Sequence, residues 1–191
     1  LNQDETINFD LLRKFMKKFG DKPFFIFGFT SYIFKSLIEQ FPNDNQFNFT
    51  NGVLLHGGGW KKMEEKKIDS KLFKNLLKKK LKLKNIYNYY GLIEQTGSIF
   101  LECPKCSCFR TTAFSDILIR DKHFNVVPNG TKGLIQLFSI LPTSYPGHVV
   151  LTEDVGTIID DKKCSCSKSG KRFKVLGRSK KSEVRGCSDT I

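Results

Sequence analysis

An acid, an amide and a hydroxyl follow one another at Glu94, Gln95 and Thr96, shortly after the apolar segment 86–89. The segment is predicted to be a buried strand, and the turn at Gly91 presents the three polar side chains where the strand ends. Polar groups that converge just beyond a buried strand suit the edge of a ligand site better than a hydrophobic core. We therefore predict that this stretch contacts a ligand.

Five of the six cysteines form two clusters, with Cys103, Cys106 and Cys108 in the first and Cys164 and Cys166 in the second. Four thiolates from two tight turns about sixty residues apart in the chain can hold a tetrahedral Zn²⁺. The predicted ligands are Cys103, Cys164 and Cys166 with either Cys106 or Cys108. The second cluster lacks the two-residue spacing of common zinc motifs, and free thiols or redox chemistry are the alternatives.

Three consecutive glycines, Gly57, Gly58 and Gly59, follow His56 at the end of the apolar segment 52–56. Because glycine has no Cβ atom, their backbone can approach a flat ligand closely. The alternative is an ordinary turn from a strand into a loop. The segment is therefore a candidate contact for a planar group such as a nucleotide base.

Hydrophobic periodicity predicts helices that alternate with strands through the first half of the chain. The predicted helices cover residues 10–20, 31–41 and 70–82, and the predicted strands cover 23–28, 52–56 and 86–89. The continuous apolar run of the first strand predicts cover on both of its faces. In the third helix, Ser70 is the expected N-cap. The residues expected on its core face are Leu72, Phe73, Leu76, Leu77 and Leu81.

Strands that alternate with helices form parallel sheets with right-handed crossovers. Ligands bind beyond the carboxyl ends of the strands in such sheets. The segments that follow the three strands, residues 28–30, 57–60 and 90–96, should therefore meet at one edge of the sheet.

After Gly97 the helical periodicity gives way to short apolar runs separated by Gly, Pro and Asn. The predicted β segments are 98–102, 111–119, 133–140, 148–152, 156–159 and 172–176, with a turn at 128–130. We interpret residues 99–176 as an antiparallel, barrel-like β unit packed on the sheet. The predicted division is thus an α/β part (1–97), a β subdomain (98–176) and a C-terminal tail (177–191).

The composition, with 39% hydrophobic and 13% aromatic residues, is sufficient for the core of one ordinary domain or two small ones. No apolar run reaches the length of a membrane span, and the polar N-terminal segment predicts no secretory signal. Six cysteines in such a chain are expected to be reduced thiols or metal ligands, which predicts a cytoplasmic location.

The net charge of +13 fits either a solvated surface or an anionic partner. Nucleic-acid binding by the lysine-rich helix 70–82 is disfavoured, because few aromatic residues interleave with its lysines to stack on bases. The oligomeric state is not predicted.

Residues 90–94, with the sequence Tyr-Gly-Leu-Ile-Glu, resemble the Tyr-Gly-x-Thr-Glu motif of adenylate-forming enzymes. Five motifs in order resemble the LuxE-type acyl-protein synthetases, which are fatty acid–protein ligases: residues 56–61, 90–99, 141–148, 151–156 and 185–190. The resemblance covers nearly the whole chain but only the C-terminal half of that family, since the phosphate-binding loop expected upstream is not matched. It implies the second half of an adenylate-forming large domain, truncated on its N-terminal side.

The resemblance implies ATP and Mg²⁺ as cofactors. It implies that Glu94 binds Mg²⁺, that Tyr90 and Gly91 stack on or border the adenine, and that residues 57–59 lie along it. Asp154 matches an acid that accepts hydrogen bonds from ribose, and Arg178 matches an arginine that contacts ribose and phosphate. Ile93 stands where the superfamily has threonine, and Thr96 is a candidate to supply the hydroxyl instead.

Cys187 matches the cysteine that accepts the acyl group from the acyl-adenylate in this family. Arg178, Lys180, Lys181 and Arg185 are close to it in sequence, and positive charge favours the reactive thiolate. An inert or buried thiol is the alternative.

The implied reaction is ATP-dependent activation of a fatty or other carboxylic acid and its transfer to a thiol. An acyl-accepting reductase or carrier protein is the implied partner. A non-catalytic, zinc-stapled domain that binds a protein or a nucleotide is the alternative function. The acyl chain, the final acceptor and the pathway stay open.

Overall fold

The computed structural model describes residues 2, 6–42, 47–159, 164–166 and 168–179 of the 191-residue chain. These residues form two compact units, which divide between Asn88 and Tyr89. The predicted functional divisions after residues 97 and 176 stay predictions. The described part of the chain contains no helix that is long and apolar enough to cross a membrane.

The first unit alternates helices with strands, as the hydrophobic periodicity predicts. Its elements are α1 (Phe9–Phe19), β1 (Phe24–Phe29), α2 (Thr30–Ile33) with a π-helical continuation (Phe34–Gln40), β2 (Gly52–Gly57), a 3₁₀ segment (Lys61–Lys66), α3 (Ser70–Leu81) and the start of β3 (Asn85–Tyr90). β1 and β2 are parallel, with a register that pairs Phe24 with Gly52 and Phe29 with Gly57.

The start of α3 differs from the prediction. Asp69, and not Ser70, is the N-cap, because the Asp69 side chain accepts hydrogen bonds from the amides of Lys71 and Leu72. The Leu72 side chain is 44% exposed rather than on the core face, whereas Phe73 and Leu77 are buried. The predicted core positions Phe73, Leu77 and Leu81 are therefore confirmed, and Leu72 lies outside the buried face.

Within the described residues β1 is covered on one face only, whereas the sequence predicted cover on both. Burial alternates along β1, and Phe25 and Phe27 are 62% and 56% exposed, while Phe24 and Ile26 pack against the core. β1 lies at the edge of a sheet with the order β1-β2-β3-β4, in which β4 is the short strand Phe100–Leu101. A continuous apolar run shows that both faces of a strand are apolar, but it does not show that a second layer is present.

Aromatic residues dominate the core of the first unit. The rings of Phe41 and Phe47 lie 5.3 Å apart and those of Phe41 and Phe49 lie 5.9 Å apart, both edge to face. All three side chains are almost fully buried. This geometry is the favoured one for aromatic pairs, so the high phenylalanine content forms a packed core.

The second unit is mainly antiparallel β structure. The last residues of β3 pair with β4 (Phe100–Leu101), and a five-stranded sheet follows with the order β5-β9-β8-β7-β6. Its strands are β5 (Phe109–Arg110), β6 (Ser115–Arg120), β7 (Gly133–Ser139), β8 (Val149–Ile159) and β9 (Arg172–Arg178).

The predicted boundaries in this unit differ from the structure at two places. The strand predicted at 111–119 begins only at Ser115, in β6, and β5 (Phe109–Arg110) was not predicted. The separate segments 148–152 and 156–159 are parts of the single strand β8, whose pairing with β9 shifts between Val155 and Gly156. A Cβ atom on Gly156 would lie 2.6 Å from the Lys174 carbonyl oxygen, so the close approach of β9 requires glycine there. A glycine that indicated a strand end in the sequence therefore marks an irregularity inside a strand.

Candidate functional site

A tyrosine, an aspartate and an arginine converge in the second unit, and we refer to Tyr90, Asp154 and Arg178 as the polar triad. The Tyr90 hydroxyl donates a hydrogen bond of 2.7 Å to Oδ2 of Asp154. Nε of Arg178 lies 3.8 Å from Oδ1 of the same carboxylate. The structure thus brings together three of the residues that the sequence predicted as nucleotide contacts.

Strand pairing places two members of the polar triad. Asp154 on β8 is the cross-strand partner of Arg178 on β9, so their side chains are neighbours because of the register. Gly177 precedes Arg178 with a φ of +143°, a conformation that favours glycine. The amide of Asp154 also donates to Oγ1 of Thr152, at 3.1 Å, which fixes the backbone that carries the carboxylate.

A second acid steadies Arg178. The guanidinium group of Arg178 donates to Oε2 of Glu153 at 2.8 Å, and the amide of Ser179 donates to the Glu153 carbonyl at 2.8 Å. The side chains of Arg178 and Glu153 are 45% and 59% exposed, so this ion pair is solvated and contributes little to stability. The ion pair instead orients the guanidinium group of Arg178.

Tyr90 remains protonated across the physiological pH range. Burial raises the pKa of its hydroxyl, and the charge of Asp154 and the hydrogen bond to it raise the pKa further. The Tyr90 ring packs against Phe100, Phe109 and Phe173, with centroid distances of 6.2, 5.9 and 6.0 Å. Tyr90 is therefore a fixed hydrogen-bond donor that orients the Asp154 carboxylate.

The loop with Glu94 is held by its neighbour. Glu94 is exposed on a short 3₁₀ turn (Ile93–Gln95), whereas Gln95 is fully buried. Nε2 of Gln95 donates to the Gly147 carbonyl at 3.0 Å. The buried amide thus anchors the turn and leaves the Glu94 carboxylate facing solvent, where it is available to a cation.

The hydroxyl and the amide of Thr96 both form hydrogen bonds that hold the same loop. Its hydroxyl donates to the Ile93 carbonyl at 2.9 Å, and its amide donates to the Tyr145 hydroxyl at 2.9 Å. The idea that Thr96 replaces a phosphate-binding threonine at position 93 stays a prediction. To contact a phosphate, this hydroxyl would have to give up its hydrogen bond to the Ile93 carbonyl.

Tyr145 and Gly147 are site residues to which the sequence assigned no role. Tyr145 accepts the amide of Thr96, and Gly147 accepts the side chain of Gln95, so both hold the Glu94 loop. A Cβ atom on Gly147 would lie 2.8 Å from the Glu94 carbonyl oxygen and 2.5 Å from the Tyr145 ring. The sequence Tyr-Pro-Gly at residues 145–147 predicts a tight turn. It does not predict that this turn contacts the Glu94 loop.

The glycine-rich segment of the first unit begins with Gly57, the last residue of β2, and continues beyond the strand with Gly58 and Gly59. Oγ1 of Thr30 donates to the Gly57 carbonyl at 3.0 Å and lies 3.0 Å from Nδ1 of His56. Two of the predicted segments, 28–30 and 57–60, therefore meet. Residues 90–96 belong to the second unit, and their place beside the other two segments stays a prediction.

The exposed part of this glycine segment has little room for side chains. Gly57 is buried, whereas Gly58 and Gly59 are exposed. Gly58 has a φ of +75°, and a Cβ atom there would lie 3.2 Å from the Phe29 ring. A bare backbone is thus required at Gly58 for local reasons, and it also permits close approach of a ligand.

The two cysteine clusters meet in the second unit. Sγ of Cys103 lies 3.8 Å from Sγ of Cys164, and the sulfur atoms of Cys103, Cys164 and Cys166 all lie within 4.8 Å of one another. Burial raises the pKa of the Cys103 thiol, but hydrogen bonds from the amides of Lys105 and Cys106 and from neighbouring thiols outweigh it and lower the pKa to about 6. The chain segments therefore present three of the predicted zinc ligands at one point.

Cys187 lies outside the described residues, as do Lys180, Lys181 and Arg185. Its prediction as the acyl-accepting cysteine therefore stays a prediction.

Comparison with solved structures supports the fold. The chain is similar to the amide bond synthetase McbA from Marinactinospora thermotolerans (TM-score 0.61, 14% identity, 90% of this chain and 34% of that chain). It is also similar to the anthranilate CoA ligase AuaEII in complex with anthranoyl-AMP (TM-score 0.61, 12% identity, 88% of this chain and 32% of that chain). A third similar structure is ATP-bound MatB from Rhodopseudomonas palustris (TM-score 0.57, 13% identity, 90% of this chain and 33% of that chain). The chain thus spans about a third of the length of these structures.

These likenesses confirm the predicted fold class, an α/β part followed by a mainly β part of an adenylate-forming large domain. No curated protein matches the chain. The sequence profile of the family described as Acyl-protein synthetase, LuxE matches residues 5–191, nearly the whole chain. The protein therefore belongs to the LuxE family of acyl-protein synthetases.

Proposed function

We propose that this chain carries the nucleotide-binding edge of an ATP-dependent ligase that activates a carboxylic acid as an acyl-adenylate. The polar triad is the observation that carries the proposal, because it joins a fixed donor, an oriented carboxylate and a cation. Membership of the LuxE family and the likeness to structures that hold anthranoyl-AMP or ATP support the same chemistry. These observations favour a ligase over a non-catalytic binding domain.

Asp154 is proposed to bind the ribose of ATP. Its side chain is 19% exposed, so it is partly shielded from water yet open to a ligand. A carboxylate has about four acceptor positions, so the bond from Tyr90 leaves positions for ribose hydroxyls. Arg178 is proposed to contact the ribose and phosphate, since a guanidinium group binds phosphate oxygens strongly.

The family resemblance assigns two segments to the adenine, and we propose each of them as a contact. The exposed backbone of Gly58 and Gly59, next to Gly57, would lie along the base. Tyr90 and Gly91 would border it from the end of β3. Because three aromatic rings already surround the Tyr90 ring, we propose that Tyr90 lies at the border of the base rather than stacking on it.

Glu94 is proposed as a ligand of the Mg²⁺ that accompanies ATP. Its carboxylate is exposed, and a phosphate-bound Mg²⁺ needs only one or two protein carboxylates with water. The ion would neutralise phosphate charge. In the proposed step an oxygen of the substrate carboxylate attacks the α-phosphorus, and the bond between this phosphorus and the pyrophosphate oxygen breaks.

Cys187 is proposed to take the acyl group from the adenylate. Its sulfur attacks the acyl carbon, the bond between that carbon and the AMP oxygen breaks, and the thiol proton passes to water. The products are a thioester and AMP. We propose a fatty acid as the substrate and a reductase or a carrier protein as the final acceptor of the acyl group. The proposed location of the reaction is the cytoplasm.

The complete reaction also requires a phosphate-binding loop, which the family resemblance does not reach in this chain. We propose that further polypeptide supplies the loop and packs on the exposed face of β1. A groove of about 530 Å³ lies there between aromatic residues that include Phe25, Phe27 and Tyr32. In this arrangement residues 1–97 carry the adenine and Mg²⁺ edge, residues 98–176 form the β subdomain, and residues 177–191 carry the acceptor cysteine.

A chemically prepared fatty acyl-adenylate tests the transfer step without the phosphate-binding loop. We expect the purified chain to gain the mass of one acyl group, in a bond that hydroxylamine cleaves. The Cys187→Ser variant should gain none, while the Cys108→Ser variant should gain as much as the wild-type chain. Equal labelling of the wild-type and Cys187→Ser chains would reject Cys187 as the acceptor.

A further inference from the structure

We propose that Cys103, Cys106, Cys164 and Cys166 bind one Zn²⁺, with Arg110 as the cation that offsets the charge of the thiolates. This site is separate from the polar triad and takes no part in the proposed acyl transfer. It joins the turn between β4 and β5 to the segment that precedes β9.

The sulfur positions fit a metal site and not a disulfide. A Zn–S bond is about 2.3 Å, which places the sulfur atoms of a tetrahedral site about 3.8 Å apart. The Cys103 and Cys164 sulfur atoms are separated by 3.8 Å, and Cys166 lies within 4.8 Å of both. A disulfide would require a separation of about 2.05 Å.

The backbone of the first cluster forms a closed turn. The amide of Cys103 donates to the Cys108 carbonyl at 2.8 Å, and the amide of Ser107 donates to the Cys103 carbonyl at 2.8 Å. Ser107 has a φ of +50°, in the left-handed region, which tightens the turn after Cys106. These two hydrogen bonds keep Cys103 beside the backbone of Ser107 and Cys108, so the three cysteines of this cluster lie on one closed turn.

Cys106, and not Cys108, is the fourth ligand in this proposal. The Cys106 sulfur is not among the three that lie within 4.8 Å of one another, so it would turn toward them when the ion binds. The Cys108 side chain is 2% exposed, and its sulfur donates to the Cys106 carbonyl at 3.3 Å, within its own turn. This contact favours Cys106 over Cys108, the choice that the sequence left open.

Arg110 provides the positive charge that four thiolates need. One terminal nitrogen of its guanidinium group donates to the Cys166 sulfur at 3.0 Å, and the other donates to the Lys168 carbonyl at 2.7 Å. Donors around the ligands of a metal orient them and tune their affinity. Lys105 adds a hydrogen bond of 3.3 Å to the Ser165 carbonyl, so both loops are already held together beside the sulfur atoms.

The ion would secure the start of β9. β5 pairs with β9 at only two positions, Phe109 with Phe173 and Arg110 with Arg172. β9 ends at Arg178, so the same strand runs from the proposed metal site to the polar triad. A clamp at one end of the strand therefore supports the register that places Arg178 beside Asp154 at the other.

The test is the metal content of the full chain, produced with added zinc sulfate and measured by elemental analysis. We expect about one zinc ion per chain. Cys106→Ser and Cys164→Ser should lose it, whereas the matched Cys108→Ser variant should keep it. Loss of zinc from Cys108→Ser with retention by Cys106→Ser would overturn the ligand set, and a folded wild-type chain without zinc would overturn the site.

The absorption spectrum of the Co²⁺-loaded chain tests the site even if the serine variants fail to fold. Wild-type chain that has been stripped by a chelator and reloaded with Co²⁺ should show thiolate-to-metal charge transfer and the visible bands of a tetrahedral ion, at the intensity expected for four thiolates. A spectrum of octahedral Co²⁺, or charge transfer of three or fewer thiolates, would reject the four-cysteine site. Arg110→Lys should keep the spectrum but weaken cobalt affinity about tenfold, as loss of a partner to a metal ligand does.

Discussion

Asp154 and Arg178 are cross-strand partners in β8 and β9, and Nε of Arg178 lies 3.8 Å from Oδ1 of Asp154. The two residues are 24 positions apart in the chain, yet the register of one pair of strands makes them neighbours. Tyr90 then fixes the other oxygen of the carboxylate. The geometry of the polar triad therefore depends on strand pairing and on one partly buried hydrogen bond.

Tyr90→Phe should lower the free energy of unfolding by about 1.5–3 kcal/mol, because it removes a partly buried hydrogen bond to a charged group. It should also weaken ATP binding, because the Asp154 carboxylate loses its fixed orientation. Urea unfolding and calorimetric titration measure the two effects. Tyr87→Phe on the same strand is the control, and an equal loss of stability there would show that the bond to Asp154 has no special effect.

Gly147→Ala should destabilise the second unit by about 1–3 kcal/mol, because the new methyl group would lie 2.8 Å from the Glu94 carbonyl oxygen. We expect the loop to move and the dependence of ATP binding on Mg²⁺ to weaken with it. Ser144→Ala is the control, since Ser144 is an exposed residue in the same segment. Unchanged Mg²⁺ dependence in a folded Gly147→Ala protein would contradict the role given to this contact.

Phe25→Ser together with Phe27→Ser should reduce the fluorescence of a bound apolar dye, because the two exposed rings stack 6.4 Å apart on the open face of β1. Stability should change little, since neither side chain is buried. Ile140→Ser removes a side chain that is 70% exposed in the second unit and serves as the control. If both proteins lose the same amount of fluorescence, the face of β1 is not a distinct apolar surface.

Much of the fold could be predicted from the sequence. Helical and apolar periodicity found the three longer helices and the three strands of the first unit to within a few residues, but not the 3₁₀ segment Lys61–Lys66. The order of motifs identified the family. Motif matching also selected Tyr90, Asp154 and Arg178, which the structure places together. These features are encoded in short stretches of sequence, where pattern is informative.

What the sequence could not reveal depends on contacts between distant residues. The bond between Thr96 and Tyr145 joins positions 49 apart, and no local pattern indicates it. The exposure of Phe25 depends on whether a second layer covers the strand, and the choice of Asp69 as the cap depends on which side chain reaches two amides. Likewise, only the fold shows that Cys108 is turned toward a carbonyl within its own hairpin.

Calorimetric titration of the purified chain with ATP and Mg²⁺ tests the central claim most directly. The account predicts saturable binding by the wild-type chain and a loss of affinity of about tenfold or more in Asp154→Asn, because a charged hydrogen-bond acceptor for ribose is replaced. Asp116→Asn, which alters an exposed acid paired with Lys171, should bind like the wild-type chain. Absence of ATP binding by the folded wild-type chain, or equal affinity in Asp154→Asn, would contradict the account.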